Sequence, residues 1–301
     1  MKKKVDFLII GSQKAGTTSL FHYLTQHPEI YFSEVKEVNY FVMDHFFAKG
    51  EKYYHSFFNR YKNQKVIGSS YVHMLPCEKC ISRVYHYNPD MKFIIMLRDP
   101  VERAISGYEY ALRNGWESQG NTIADALSLE GSRLQQEAYD LTYFYNGLYN
   151  RHITNWMERF PRGQFLILKQ EHLKHDPEEI FNSIFEFLQI SKRSIDTTVR
   201  YNVASGVHNK SLQKIMLAKG SPINRLLGAL MSQQAKVFIR SKIFPLIYKA
   251  NTSRRKENKT MLTALEQEEL RNYFEKDLEA LEKNFNITYA HKKSIGDSLV
   301  P

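Results

Sequence analysis

Apolar residues in this chain gather in short runs, separated by longer stretches where they recur every three or four positions. The short runs are Val5 to Ile10, Ile30 to Phe32, Lys65 to Gly68, Lys92 to Leu97 and Gln164 to Leu168. Runs of that length suit strands covered on both faces, and the helical patterns between them suit crossover connections. The pattern predicts an α/β fold: a single domain over 1–301 with a central parallel sheet of about five strands, flanked by helices. One helix is expected from Asp140 to Phe160, with Tyr149, Ile153, Trp156, Met157 and Phe160 on one stripe, stopping at Pro161 and Gly163. A second starts at Asp176-Pro177-Glu178-Glu179, where cap, proline and acids stand in order. Its buried face is Ile180, Phe181, Ile184, Phe185 and Leu188. A third opens with the capping box Thr263-x-x-Glu266 and turns Leu270, Tyr273, Phe274, Leu278 and Leu281 inward. The stretch from Ser205 to Lys259 is apolar and basic without a clean period. Residues from His291 to Pro301 are expected to fray.

Composition narrows the class. The chain has 301 residues, 43% hydrophobic and 25% charged, as in an ordinary soluble globule. No run approaches the ~20 apolar residues of a membrane span. The start, basic and then apolar, resembles a signal peptide, but Asp6 cuts the apolar stretch short and the sheet needs it. Two cysteines make no disulfide framework, so the expected location is cytoplasmic. Charge is unevenly placed. Tyr201 to Thr260 holds 12 Lys and Arg against one acid, Glu257, so the rest of the chain is near neutral against a total of +10. Such a field favours an anionic partner or a membrane surface, or is simply a solvated basic face.

The most informative segment is GSQKAGTTSL, Gly11 to Leu20, lying between the first apolar run and a helical pattern. Strand, glycine-bracketed loop and helix start together aim backbone N–H groups at an anion. Gly11 and Gly16 match the spacing of a nucleotide-triphosphate loop, so the site is P-loop-like. The cation is displaced, however: position 17 is Thr, and the loop's lysine is Lys14, inside the cradle. That suits a 5′-phosphate carrying something other than further phosphates. The fourth run ends in RDPVERAISGY. Arg98 stands at the strand end where a nucleotide hydrolase places an acid for magnesium, and Asp99-Pro100 starts a helix. Ser106, eight residues after Arg98, completes a clamp for a second phosphate.

These two blocks resemble the 3′-phosphoadenylyl sulfate (PAPS)-dependent sulfotransferases, in particular the heparan-sulfate-type and bacterial sulfotransferase-domain proteins. Gly11, Lys14, Ala15, Gly16, Thr17, Thr18 and Ser19 look like that family's 5′-phosphosulfate loop, and Arg98 with Ser106 like its 3′-phosphate site. KEVNYF (Lys36 to Phe41) is similar to the segment carrying the family's acceptor base. NGLYNRHITNWMERFPRGQFLILKQEHL (Asn146 to Leu173), NVASGVHNKSL and the closing helix extend the likeness over most of the chain. The resemblance implies PAPS as donor, 3′-phosphoadenosine 5′-phosphate (PAP) as product and no required metal.

Sulfuryl transfer leaves charge on the departing phosphate, and Lys14 is the cation expected to meet it. A hydroxyl acceptor needs a base. Glu37 matches the family's glutamate, although Asn39 stands where a histidine is common and the following acid is displaced to Asp44. His73, just past the third strand, is the other candidate. The lysine that many relatives carry before Ser-Pro is replaced by Ile67 or Gly68. Gly206 and Lys210 resemble, at unusual spacing, a loop closing over the nucleotide. Cys77-x-x-Cys80, with His73 and His86 nearby, falls short of a structural zinc site, and two reduced thiols are expected. The acceptor implied is an anionic or lipid-linked glycan, with no nucleic acid, and with peripheral membrane contact possible through 205–260. Oligomeric state is not legible. Two other classes remain: a small-molecule kinase with a degenerate loop, and a catalytically dead module binding anionic glycan or a membrane surface.

Overall fold

The computed structural model describes residues 3–118, 120–199, 206–207, 252–253 and 263–289. Five strands form one parallel sheet: β1 (Phe7–Gly11), β2 (Ile30–Glu37), β3 (Val66–Ser70), β4 (Lys92–Leu97) and β5 (Phe165–Lys169), in the order β2-β3-β1-β4-β5. The principal helices are α1 (Thr17–Leu24), α2 (Glu78–Tyr87), α3 (Pro100–Arg113), α4 (Tyr149–Met157), α5 (Pro177–Leu188) and α6 (Ala264–Phe285). All five expected strands exist, with ends moved by a few residues; β2 runs on to Glu37.

Strand alternation builds a core on each face. Leu8, Ile10, Phe93, Ile95 and Leu97 join Val84, Ile153 and Trp156 on one side. Phe7, Ile9, Ile94 and Met96 pack with Leu20, Leu24, Ile180, Ile184 and Phe185 on the other. Each fully buried Leu, Ile or Phe contributes about 1.5–3 kcal/mol. A third cluster joins α3 to α6 through Ala104, Tyr108, Leu270 and Phe274. Tyr273, expected inward, lies at the edge of that stripe and is 39% exposed.

The helix expected from Asp140 is instead two 3-10 turns, Tyr139–Leu141 and Tyr145–Gly147, before α4 begins at Tyr149. Side chains compete with the helical ladder there: Thr142 donates to Asn146 Oδ1 at 3.1 Å, and Asn146 Nδ2 donates to the Tyr139 carbonyl at 2.7 Å. Gly147 also marks a close approach, since a Cβ there would stand 2.7 Å from the Phe274 ring. The helix starts at Asp99-Pro100, Asp176-Pro177 and Thr263-x-x-Glu266 form as expected, each with its side-chain cap. Gly206 lies in a two-residue strand, β6 (Gly206–Val207), antiparallel to β7 (Thr252–Ser253). Lys210 and nearly all of the basic stretch 205–260 lie outside the described residues, as does the tail from His291. No described helix is long and apolar enough to cross a membrane.

Helix α4 has no cap from its own side chains. Asp277 of α6 supplies it, accepting from the Asn150 and Arg151 N–H groups at 3.0 Å each. Asp277→Ala should lower stability by about 1–2 kcal/mol in denaturant titration, and Asp277→Asn, which keeps one acceptor oxygen, by less. An unchanged midpoint in the alanine variant would show that the cap contributes nothing.

Candidate anion cradle and acceptor edge

In a parallel sheet of this order the chain leaves β1 toward one edge and β4 toward the other. The carboxyl ends of β1 and β4 therefore flank the switch point where open α/β sheets bind ligands. Gly11 ends one strand and Arg98 follows the other.

The loop after β1 is concave because two of its residues adopt left-handed backbone, Lys14 at φ 67° and Gly16 at φ 90°. Gly16 meets Gln170 as well: an added Cβ would lie 3.4 Å from its side chain. Gly16 caps α1 without a side-chain hydrogen bond, and α1 has no acid in its first turn. The N–H groups that open a helix, here those of Thr17, Thr18 and Ser19, want an anionic partner. Ser12 N donates to the Met96 carbonyl at 2.8 Å, fixing the loop to β4.

Helix α3 presents one face to this loop. Arg103, Ser106, Gly107, Tyr110 and Arg113 recur at helical spacing along it. The Lys14 ammonium stands 4.2 Å from the centre of the Tyr110 ring. Gly107 lies beside Gln13 of the loop and Arg103, since an added Cβ would stand 3.7 Å from Gln13 Oε1 and 3.9 Å from Arg103 Nη1, and its tightest approach is 3.2 Å, to the Tyr143 ring. Arg98 donates from Nη1 to the Lys14 carbonyl at 3.4 Å and pairs with Glu102 at 3.1 Å. Its own carbonyl accepts from the Tyr149 hydroxyl at 2.8 Å, which ties the strand end to α4. Arg103 is fully buried, and none of its guanidinium nitrogens meets a hydrogen-bond partner among the described residues.

The result is a crowd of cations. Burial pushes the Lys14 ammonium down from the ordinary lysine value to about 8; Arg113 and Arg98 push the same way, Glu109 opposes, and Arg103 adds to the depression. An anion entering the cradle relieves that repulsion. Gly11, Lys14, Ala15, Gly16, Thr17, Thr18, Ser19, Arg98 and Ser106, the residues the sequence pattern singles out, follow the carboxyl ends of β1 and β4 at one edge of the sheet. That pattern missed Arg103, Tyr110 and Arg113, whose helical spacing from Ser106 was the available signal.

On the other side of β1, the carboxyl ends of β2 and β3 meet. Glu37 lies opposite Ser70, its Oε2 accepts from Val72 N at 3.2 Å, and Lys36 pairs with its other oxygen. Its side chain is 39% exposed, within reach of a ligand. His73 is enclosed at 3% and bonded through Nε2 to Asp140 at 2.8 Å. Asp44 takes no part; it pairs with Arg83 at 2.5 Å and Lys79 at 2.9 Å. Ile67 is fully buried, and an added Cβ on Gly68 would lie 2.3 Å from the Phe7 ring, so neither position can present a lysine to the site. Cys77 and Cys80 are buried free thiols at the start of α2. Among the described residues there is no group of three or more His, Cys, Asp or Glu able to hold a metal ion.

A glycine-bracketed loop at the switch point of a parallel sheet, with a carboxylate at the end of β2 on the same sheet edge, defines an α/β protein of the phosphate-loop type. Comparison with known proteins narrows the class: residues 4–225 match the sulfotransferase domain, and the chain belongs to that family. It is 28% identical over 222 residues to mouse heparan sulfate glucosamine 3-O-sulfotransferase 6, covering 73% of this chain and 61% of that protein. The chain spans between a quarter and about three fifths of the length of the curated relatives it matches first. Among solved structures, a sulfotransferase from Alicyclobacillus acidocaldarius superposes with a TM-score of 0.59 at 25% identity, over 80% of this chain and 96% of that one. A mouse sulfotransferase complexed with PAP shares the fold, with a TM-score of 0.50 at 17% identity over 94% and 86%.

The Lys14 value sets a pH dependence for anion binding. Below pH 8 the group is an ammonium and meets the anion; above it the charge is lost. PAP affinity measured by calorimetry should therefore fall as pH rises from 7 to 9, and Lys14→Met should flatten that fall. A wild-type affinity that stays constant across the range would show that Lys14 keeps its charge up to pH 9, and an affinity unchanged in Lys14→Met at pH 7 would rule Lys14 out of the cradle.

Proposed function

We propose that this chain moves a sulfuryl group from PAPS to a hydroxyl, or an amine, of a carbohydrate acceptor and releases PAP. The observation that carries this reading is the cradle: the α1 start behind a left-handed Gly16 with no acid in its first turn, Lys14 in the same loop, and Arg98 donating to the Lys14 carbonyl. Its donor set fits a ligand with a 5′-phosphosulfate on the loop and a 3′-phosphate at Arg98 and Ser106. PAP bound in a protein of the same fold supports the choice, as does the glycan named for the mouse relative.

In this reading PAPS supplies an activated sulfuryl group on a phosphate leaving group. Lys14 and the N–H groups of Thr17, Thr18 and Ser19 hold the 5′-phosphate and balance the charge that develops there. Arg98 holds the 3′ end, with the Ser106 hydroxyl beside it. Glu37, an exposed carboxylate held by Val72 N, takes the acceptor proton. His73 yields that role because its ring nitrogens are turned away from solvent. Gly206 and Lys210 are assigned to closing over the nucleotide. The basic stretch 205–260 is assigned to an anionic or lipid-linked glycan, or the membrane surface bearing it. The two free thiols suit a reducing, cytoplasmic location.

The test is a 35S-labelled PAPS assay against desulfated polysaccharides, lipid-linked glycans and phenols, with PAP-induced stabilisation measured alongside. Label transfer to a polysaccharide is expected. A melting temperature raised by ATP with magnesium and not by PAP would favour a kinase and end this reading. Lys14→Ala should lower turnover by about 10²- to 10³-fold. Glu37→Gln should lower kcat while PAP affinity holds; if His73→Ala alone does so, the base is His73.

A further inference from the structure

Asp140 lies in the first 3-10 turn before α4, where the sequence pattern promised only the start of a helix. Its Oδ1 accepts from His73 Nε2 at 2.8 Å and from Gln13 Nε2 at 3.4 Å. Gln13 belongs to the anion loop. His73 belongs to the segment after β3 whose Val72 N–H holds Glu37. One carboxylate oxygen therefore joins the element that cradles the proposed donor to the element that aims the proposed base.

The surroundings make this joint stiff. His73 is 3% exposed, its ring is 6.2 Å from Tyr139 in a stacked arrangement, and Tyr71 stands edge-on at 5.7 Å. Its Nδ1 is buried and meets no hydrogen-bond partner among the described residues, so Asp140 is the ring's hydrogen-bond partner there. The segment itself is fixed at both ends of its turn. Tyr71 N donates to the Ile9 carbonyl at 3.1 Å and Leu75 N to the Ile10 carbonyl at 2.9 Å. The Leu75 carbonyl accepts from Trp156 Nε1 at 3.0 Å. Gly11 allows the contact, because an added Cβ would lie 3.0 Å from Leu75 Cβ and 3.3 Å from the Val72 carbonyl.

Resting on the sulfotransferase reading, we infer that Asp140 is a positioning residue: through Gln13 and His73 it sets the distance between the donor loop and Glu37. In-line transfer depends on that distance, and a displacement of about 1 Å costs up to about a hundredfold in rate. In this arrangement Asp140 acts through Gln13 and His73 and not on a substrate, so its loss should act on kcat and leave binding alone.

The test follows the His73 ring by 15N and 1H NMR in the full chain while PAP is added, with PAP binding measured by calorimetry. In the wild type the Nε2–H signal should be protected from exchange and should move as PAP saturates the loop. Asp140→Ala should lose the protected signal and its response to PAP, with PAP affinity within about threefold, and turnover of the best acceptor should fall about ten- to a hundredfold at unchanged KM. Asp140→Asn, which keeps an oxygen acceptor, should recover most of the rate. Should the alanine variant not fold, Gln13→Leu carries the test: the His73 signal should persist but no longer respond to PAP. PAP binding that leaves the wild-type His73 ring unmoved, or a response that survives in Asp140→Ala or Gln13→Leu, overturns the inference alone. Absence of PAP binding overturns the donor reading and this inference with it.

Discussion

The rest of the structure is arranged around crowded, partly compensated positive charge at the carboxyl edge of a parallel sheet. Lys14, Arg98, Arg103 and Arg113 interact closely enough that the lysine gives up more than two pH units of its basicity, burial acting first. Charges held this way cost folding energy that nearby acids recover only in part: Glu102 pairs with Arg98 and Glu109 favours the Lys14 charge, while the Arg103 guanidinium meets no hydrogen-bond partner among the described residues. The core must hold the arrangement against its own repulsion. It does so through hydrogen bonds to backbone groups: Ser12 N on the Met96 carbonyl, the Tyr149 hydroxyl on the Arg98 carbonyl, and Asp277 capping the helix that carries Tyr149. An anion converts that cost into affinity, and two phosphates at fixed separation would use both ends of the cradle.

How much of this was legible in the sequence depends on the range of the interactions. Gly11 to Ser19, Arg98 and Asp99-Pro100 were readable because each acts within a strand-loop-helix unit, where local backbone needs dictate residue type. The three helix starts were readable for the same reason, and all three formed. The segment from Asp140 to Gly147 was not. Its apolar spacing fits a helix, and what replaces the helix is a set of side-chain hydrogen bonds from Thr142 and Asn146, with Gly147 packed against Phe274, more than a hundred residues away. Arg103, Tyr110 and Arg113 were half-legible: their spacing puts them on one face, but only the placement of Lys14 over Tyr110 shows which way that face turns.

The acceptor side shows the same division. A glutamate in KEVNYF and a histidine after β3 were both readable as bases, and sequence had no means of ranking their access to solvent. The structure does: one carboxylate is open at the sheet edge, and one imidazole is enclosed against Asp140. The displaced acid, Asp44, also changes meaning. Its two cationic partners lie on α2, so it braces the surface beside the edge strand and does not enter the site.

That difference bears on what this chain can select. With Asn39 in place of the common histidine, Asp44 turned away, and no room for a lysine at Ile67 or Gly68, the edge beside Glu37 has fewer charged groups than the family resemblance would place there. In the proposed reading, attraction of a charged glycan would therefore come from elsewhere in the chain. The chain's net positive charge is concentrated between Tyr201 and Thr260, with 12 Lys and Arg against one acid. In the proposed reading the catalytic edge is spare in charge and the basic stretch supplies the attraction, so affinity for a polyanionic acceptor would respond to salt much more than the chemical step does. A division of that kind lets the donor cradle stay the same while the acceptor changes with the basic segment.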